Sequence, residues 1–306
     1  MIVLLTGGTG GVKLVEGLSL EVEPAELVVV CNTGDDLVVH GLYVAPDLDT
    51  VVYTLAGVVD RTKGWGVQDD TFATLGRLGE LGEQTWFQLG DRDLATHLIR
   101  TQLLRDGLSL SQITERLVRA LGVRARILPM SDDRVATRIV TPKGELSFQE
   151  YFVRDQWADP VRGIAFTGAP QSRPAPGVLE CIGDARAVIL CPSNPATSLG
   201  PILAVPGIRD ALHRTAAPVA AVSPMIGSMP FSGPAHKFMA HLEVEVSSFG
   251  VARLYSDFLD LLLVSHEDGP LMGRIESMGI RTAATSISMH TLEDKRRVAR
   301  ELLRLI

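Results

Sequence analysis

No block of lysine or arginine interrupts this 306-residue chain, whose formal net charge is −7 and whose pI is near 5.5. That lack argues against nucleic acid and anionic membranes as main partners, since both are bound chiefly through basic patches. An anionic ligand would have to be held locally, by backbone N–H groups, a few cations or a metal. Cysteine is also scarce. Cys31, Cys181 and Cys191 form no C-x-x-C, which gives no zinc site and suits a reducing cytoplasm. No apolar run approaches the ~18 residues of a membrane span. The first run, Ile2–Thr6, is short and carries no basic leader, so neither a span nor a signal peptide is expected. The chain also lacks a P-loop, a G-x-S-x-G elbow, a full G-x-G-x-x-G, internal repeats and low-complexity tails. Without a full G-x-G-x-x-G and an isolated ribose acid, an NAD-dependent oxidoreductase is disfavoured.

What is present suits one large α/β domain spanning 1–306. Hydrophobic residues make up 46% of the chain, enough for a full core. Continuous runs recur at Ile2–Thr6, Glu26–Asn32, Ala187–Ser193, Val219–Pro224 and Asp260–His266. Unbroken Val, Leu and Ile runs predict parallel strands buried on both faces, hence a doubly wound, mainly parallel, Rossmann-like sheet. Two stretches interrupt the rhythm. Residues 60–125 read as mainly helical. Residues 134–175 read as an inserted antiparallel hairpin turning at Pro142-Lys143-Gly144, with the Pro-rich segment Pro170–Pro176 as its return. The C-terminal TLEDKRRVARELLRLI predicts a helix with Thr291 as N-cap and Glu293 and Asp294 in its first turn.

Ligands of such sheets bind beyond the carboxyl ends of the strands, so the loops there matter most. The first, Thr6-Gly7-Gly8-Thr9-Gly10-Gly11, either admits a phosphate to the backbone ahead of a helix N-terminus or serves as a tight turn. The second, NTGDD (Asn32–Asp36), runs on to APDLDT. There Asp47 and Asp49, two apart in what reads as an extended loop, would point the same way as a Mg²⁺ site needs; a solvated loop is the alternative. In LGDRDLATHLIR, Asp91 reads as an N-cap, Arg92 as a phosphate fork and His97 as a packed histidine before a catalyst. LPMSDD brings two more acids, Asp132 and Asp133, into the hairpin. CPSNPATSLGPIL offers Ser193, Asn194, Thr197, Ser198 and Gly200; SPMIGSMPFSGPAHKFM offers Ser228, Ser232, Gly233 and Lys237. Each of these loops could be a turn alone. Together they suggest a nucleotide diphosphate site with Mg²⁺, suited to phosphoryl-type transfer.

In order along the chain, GGTGG.K, NT.DD...HG, PDLDTV.YTL, WG...DTF, LGDRDLATH, LPMSDD, PSNP.TS.GPIL and VSP.IG..P.SGPA.K resemble the 2-phospho-L-lactate transferase family of coenzyme F420 biosynthesis, whose actinobacterial members are phosphoenolpyruvate transferases. SSFGVA.LY.DFLD fits as well. The resemblance implies a cytoplasmic, Mg²⁺-dependent, homodimeric transferase of the EC 2.7.8 class. It would move a phospholactyl or enolpyruvyl-phosphate group from a GDP-activated donor, lactyl- or enolpyruvoyl-diphospho-5'-guanosine, to the ribityl hydroxyl of the deazaflavin Fo. GMP would leave and F420-0 or dehydro-F420-0 would form; 3-phosphoglycerate is a further alternative for the three-carbon unit. By the same resemblance Asp49 lies near the Fo hydroxyl, with Asp47 beside it as metal ligand or base. Gln88, at a place that is basic in some relatives, lies with Asp91 and Arg92 on the Fo side. Gly7, Gly8, Thr9, Gly10, Gly11 and Lys13 face the guanosine nucleotide with the PSNP loop. A related family of nucleotide-sugar-binding regulators, the gluconeogenesis-factor-like proteins, also opens with a GGTG-type loop; PDLDTVVYTL and LGDRDLATH favour the transferase.

Overall fold

The computed structural model describes all 306 residues, Met1–Ile306. Seven segments form one parallel sheet: β1 (Ile2–Thr6), β2 (Leu27–Cys31), β3 (Arg126–Pro129), β4 (Ala187–Leu190), β5 (Val219–Val222), β6 (Leu261–Ser265) and β7 (Arg281–Thr285). They lie in the order β7-β6-β5-β4-β1-β2-β3, with every neighbouring pair parallel. The chain starts at the centre, winds out through β2 and β3, returns to β4 beside β1 and winds out the other way. This is the doubly wound, Rossmann-like order that the unbroken apolar runs predict.

The runs are unbroken because each strand feeds two cores. Val3 and Leu5 join Val28, Val30, Val188 and Leu190 in the core on one face. Ile2 and Leu4 join Leu27, Val29 and Ile189 in the core on the other. Helices Gly8–Ser19, Pro46–Leu55 and Leu292–Leu305 bury Leu14, Val51 and Leu302 against the second face. Helices Val178–Gly183, Leu199–Ala204, Ile208–Arg214 and Ser248–Leu254 bury Ile182, Ile202, Ile208 and Val251 against the first. The C-terminal helix is capped as expected. Thr291 Oγ1 accepts from Asp294 N at 3.1 Å, and Asp294 Oδ2 accepts from Thr291 N at 2.9 Å.

Strands β3 and β7 fall on no run singled out from the sequence. They are the two edges of the sheet. β3 has four residues and opens on exposed Arg126, and β7, RTAAT, is nowhere fully buried. An edge strand covers less core, so it carries a weaker apolar signal.

The helical segment contains Ala73–Glu80, Asp93–Arg105 and Leu110–Ala120. In the insert, Ala136–Thr141 pairs antiparallel with Gly144–Ser147 and, on its other side, with Gly163–Thr167. The return strand is thus Gly163–Thr167 and not the segment Pro170–Pro176. Proline cannot donate to a ladder, and those residues instead make a short 3₁₀ turn and a connection.

Candidate functional site

Strand order reverses between β1 and β4, and the loops leaving them meet beyond the sheet. Gly7 N donates to Ser193 Oγ at 3.1 Å, and Thr6 Oγ1 lies 3.4 Å from the same oxygen. The glycine run is shorter as a loop than expected, since the helix begins at Gly8. Gly8 has φ +67, open to glycine alone at little cost, and a Cβ on Gly11 would collide with Ser193 Oγ and Thr6 Oγ1. The run therefore serves two ends: it lets the β4 loop close onto the first helix, and it leaves backbone at the rim of a cavity.

That cavity measures about 550 Å³. Its buried end is polar. Gly7, Gly8, Thr9 and Gly10 border it from the first loop, and Ser193, Asn194, Thr197 and Ser198 from the β4 loop. Asn194 Oδ1 accepts from the backbone N of Ala196 and Thr197, which shapes its own loop, while Thr197 Oγ1 is buried with no partner in the protein. Ser232 and Gly233 reach in from the loop after β5.

The PDLD segment is helical and not extended. Pro46 stands in the first turn of helix Pro46–Leu55, and Asp47 and Asp49 add negative charge where a helix dipole favours it. On a helix, residues two apart diverge by about 200°, so the alternation argument for a shared direction fails. Both carboxylates nonetheless border the cavity, each with its own partners. Asp47 Oδ2 accepts from Asn32 Nδ2 at 2.9 Å, and Asn32 Oδ1 accepts from Gly34 N at 2.8 Å. Burial pushes the Asp47 carboxyl up to about 6, against the pull of Asn32 and the Gly8 backbone. Asp35 borders the same cavity. Its carboxyl is raised by burial first and then by the charges of Asp47 and Asp36, and its Oδ1 has no partner.

Asp49 is held differently. Arg100 Nη1 donates to its Oδ2 at 3.0 Å and Arg100 Nη2 pairs with its Oδ1, a two-point grip inside the protein with Arg100 only 2% exposed. Burial works against the Arg100 charge, but the Asp49 carboxylate outweighs it and holds the guanidinium above its ordinary value. His97, 1% exposed, lies beside the pair. Its Nδ1 is 3.3 Å from Arg100 Nη1, which can only donate, so Nδ1 is assigned as acceptor and Nε2 as the protonated nitrogen. Nε2 faces Asp93 Oδ1 at 3.2 Å, off the angle of a hydrogen bond. Tyr53 donates to the same Asp93 oxygen at 2.6 Å. Four aspartates thus border the cavity, while no lysine or arginine does.

Several residues expected at the site lie elsewhere. Asp91 accepts from Ala73 N, Thr74 N and Thr71 Oγ1, so it caps the neighbouring helix Ala73–Glu80 and not its own. Asp70 takes the N-terminus of the Asp93 helix, accepting from Arg92 N and Asp93 N. Arg92 Nη1 donates to the Gln68 carbonyl. Lys13 lies over the Phe231 ring, and Lys237 Nζ donates to the Trp157 carbonyl at 2.5 Å. Gly200 packs against Phe166 and borders a separate apolar pocket. None of Gly11, Lys13, Asp91, Arg92, Gly200 and Lys237 borders the cavity, whereas Gln88 does. Sequence reasoning missed Asp35 and the Arg100–His97–Asp93 cluster. The double acid in NTGDD and the Asp93/His97/Arg100 spacing of i, i+4, i+7 on one helix face were the available signals.

A family model described as "2-phospho-L-lactate transferase CofD" matches residues 2–298. The chain is 41% identical over 297 residues to the 2-phospho-L-lactate transferase of Methanosarcina mazei, covering 97% of both chains. It is 44% identical over 310 residues to the phosphoenolpyruvate transferase of Streptomyces griseus, covering 99% of this chain and 98% of that one. The phosphoenolpyruvate transferase of Kitasatospora aureofaciens is 45% identical over 311 residues, with coverage of 99% and 97%. Among solved structures, the protein BH3568 of Bacillus halodurans, described as a member of the UPF0052 family, aligns with TM-scores of 0.64 and 0.65 at 17% and 16% identity, over 99% of this chain and 98% of that one. Those structures share the fold. The residues that border the cavity all lie within a match of nearly full length, and the chain belongs to the 2-phospho-L-lactate transferase CofD family of transferases.

Proposed function

We propose that this transferase joins the deazaflavin Fo to a three-carbon acid phosphate carried by a GDP-activated donor. The Fo ribityl hydroxyl attacks the phosphorus that bears the three-carbon unit. A P–O bond forms to Fo, the bond to the bridging oxygen breaks, GMP leaves and the hydroxyl proton is released. One observation carries the reading: a cavity at the switch point of the sheet with four aspartates and no cation on its wall. A diphosphate entering it would face like charge unless a divalent ion came with it.

The donor set fits such an ion. Asp35 and Asp47 present hard oxygens, one of them buried and without a partner. No three acidic, histidine or cysteine side chains converge on one point, but magnesium commonly takes one or two carboxylates and completes its shell with phosphate oxygens and water. Asp35 and Asp47 are therefore the residues to hold Mg²⁺, with Asp49 the alternative second ligand. When bound, the ion would offset the diphosphate charge and favour departure of GMP. The rest falls to the chain. The first helix turn and Ser193, Asn194, Thr197 and Ser198 hold the nucleotide end. Arg100 fixes Asp49 in direction, and the lone pairs that Arg100 leaves free accept the acceptor hydroxyl's hydrogen bond and then its proton.

No helix is long and apolar enough to cross a membrane. A homodimer belongs to the same proposal and is read by sedimentation. The test of function is to mix protein, Fo and Mg²⁺ with each GDP-linked donor, phospholactyl, enolpyruvyl and 3-phosphoglyceryl, and to follow products by mass spectrometry. One donor should yield GMP and a phosphodiester of Fo. No GMP from any of the three overturns the reading.

A further inference from the structure

Helix Asp93–Arg105 is turned inside out. It buries Asp93, His97 and Arg100 and exposes Leu98 and Ile99. A helix laid on a core ordinarily does the reverse, and a buried polar face lowers stability unless its groups find partners. Here the partners come from helix Pro46–Leu55. Asp49 and Tyr53, one turn apart on that helix, meet Arg100 and Asp93 in opposite order. His97 stands between these two contacts.

Its Nδ1 lies 3.3 Å from Arg100 Nη1 and 3.7 Å from Asp49 Oδ2, so it reaches the carboxylate only through the guanidinium. Nη1 carries two hydrogens. One goes to Asp49 Oδ2 at 3.0 Å and the other to His97, while Nη2 pairs with Oδ1 and Nε has no partner. Two points fix the guanidinium against the carboxylate, yet they leave the pair free to swing as a unit. His97 supplies a third point outside the pair. The far side of its ring is steadied in turn. Nε2 faces Asp93 Oδ1 at 3.2 Å, Tyr53 donates to the same oxygen at 2.6 Å, and the Tyr53 hydroxyl lies 2.7 Å from Thr96 Oγ1. Burial works against the Asp93 charge, but His97, Tyr53 and Arg100 outweigh it and hold the carboxyl below its ordinary value. An ionised Asp93 only accepts, and Arg100 only donates. Both sides of the ring therefore demand one form, with Nδ1 bare and Nε2 protonated. The opposite tautomer would set Nδ1–H against Nη1–H and push the guanidinium off the line that directs Asp49.

We propose that His97 is a positioning residue: its bare Nδ1 props Arg100, and through Arg100 it aims the free lone pairs of Asp49, while Asp93 and Tyr53 hold the ring. The use made of Asp49 rests on the transferase reading; the chain of hydrogen bonds does not.

The test has a spectroscopic arm and a kinetic arm, both on the intact protein. Long-range proton–nitrogen correlation spectra tell the two ring nitrogens apart. In wild type, His97 should be protonated at Nε2 alone, and the Arg100 guanidinium should rotate slowly. His97→Leu keeps the volume and removes the acceptor. Rotation should then quicken, and kcat should fall on the order of 10–100-fold, the range that loss of an outer-shell partner produces, with both KM values near wild type. His97→Gln, whose amide oxygen can accept from Nη1, should recover most of both. A merely structural histidine would matter equally whatever stands at position 100. In Arg100→Lys, where the fork is already gone, adding His97→Leu should instead lower kcat by no more than about twofold further. A melt within a few degrees of wild type certifies each fold, and His97→Ala replaces the leucine variant if that one does not melt cooperatively. A proton on Nδ1 in wild type overturns the proposal, as does a guanidinium that rotates no faster in His97→Leu. So does a full second loss in the Arg100→Lys background. The two readings fail separately. A guanidinium freed by His97→Leu in a protein that releases no GMP sinks the transferase reading alone, and GMP release at wild-type kcat in His97→Leu sinks this one alone.

Discussion

The two ends of the cavity are made of different material by different parts of the chain. The buried end is polar and acidic and rests on the carboxyl ends of β1, β2 and β4, where strand pairing fixes the backbone from both sides. The aromatic lining, Trp65, Trp86, Phe87, Phe148 and Phe152, comes from the helical segment and the antiparallel insert, which approach each other at Trp86 and Arg154. A rigid acidic end suits the reacting phosphate, where a small misplacement is expensive. A softer aromatic end suits a ring recognised by its faces. The contrast implies that damage to the buried end should show in turnover, and damage to the outer end in acceptor binding.

The largest expected effect concerns metal. With Asp35, Asp47, Asp49 and Asp93 on the wall and no basic side chain to answer them, chelation should abolish turnover and added Mg²⁺ should restore it. Full activity in excess chelator would break the picture of an acidic end completed by a cation. Next comes Asp49. Asp49→Asn keeps the volume and removes the charge, and removal of a general base costs ~10²–10⁴ in rate. A loss of at least ~100-fold in kcat is expected, with guanosine nucleotide binding retained. Arg100 would lose its buried counter-charge, so some fall in Tm accompanies the loss. Near wild-type kcat in folded Asp49→Asn would pass the base role to Asp47.

A third effect reverses sign between stability and function. Burial raises the Asp47 carboxyl from 3.8 to about 6. Between those pH values the folded state holds a proton that the unfolded state has released, so stability falls as pH rises through the window and stays lower above it. In metal-free protein Asp47→Asn removes that penalty, on the order of 1–3 kcal/mol at neutral pH, while the amide oxygen of the variant can still accept from Asn32. Melting at pH 7.5 should therefore be higher in Asp47→Asn than in wild type, the two should converge near pH 4, and turnover should fall. A lower Tm at pH 7.5 would show that the buried acid is not under strain.

The central strands, the glycine loop and the Asp47 and Asp49 pair were legible because their signals are local. An unbroken apolar run announces a strand buried on both faces, and the glycine and Asn-Thr-Gly-Asp-Asp blocks follow such runs directly. The edge strands β3 and β7 were not, since β3 has only four residues, Arg126 exposed and Pro129 last, and β7 is nowhere fully buried. The direction of the Asp47 and Asp49 side chains was misread because Pro46 was taken inside a loop when it opens a helix. The grip of Arg100 on Asp49 joins residues 51 apart in the chain, and the aromatic end joins residues near 65, 86 and 150. No spacing rule reaches that far, and the family resemblance placed the acceptor only by Asp49, Gln88, Asp91 and Arg92.

The smallest effect separates a residue of the site from a residue of its frame. Asp91 lies within LGDRDLATH, beside residues that do border the cavity, and that neighbourhood suggested a contact with the acceptor. Its carboxylate is instead occupied. Oδ2 accepts from Ala73 N at 2.9 Å and Thr71 Oγ1 at 2.5 Å, and Oδ1 accepts from Thr74 N at 3.0 Å. Those hydrogen bonds, Thr71 and Thr74 first, hold the Asp91 carboxyl well below the usual carboxylate range. Its work is to tie the chain before the Asp93 helix to the start of helix Ala73–Glu80, which precedes Trp86. Asp91→Ala should then lower Tm by a few degrees at most and leave kcat near wild type. Asp91→Asn should do less harm than Asp91→Ala, because an amide oxygen still accepts from a backbone N–H. Any rise in acceptor KM should stay below that of Trp86→Ala, since the Trp86 loop is loosened and not removed. A kcat loss for Asp91→Ala as large as that for Asp49→Asn, in protein that melts normally, would move Asp91 into the reacting end and erase the division between the two ends.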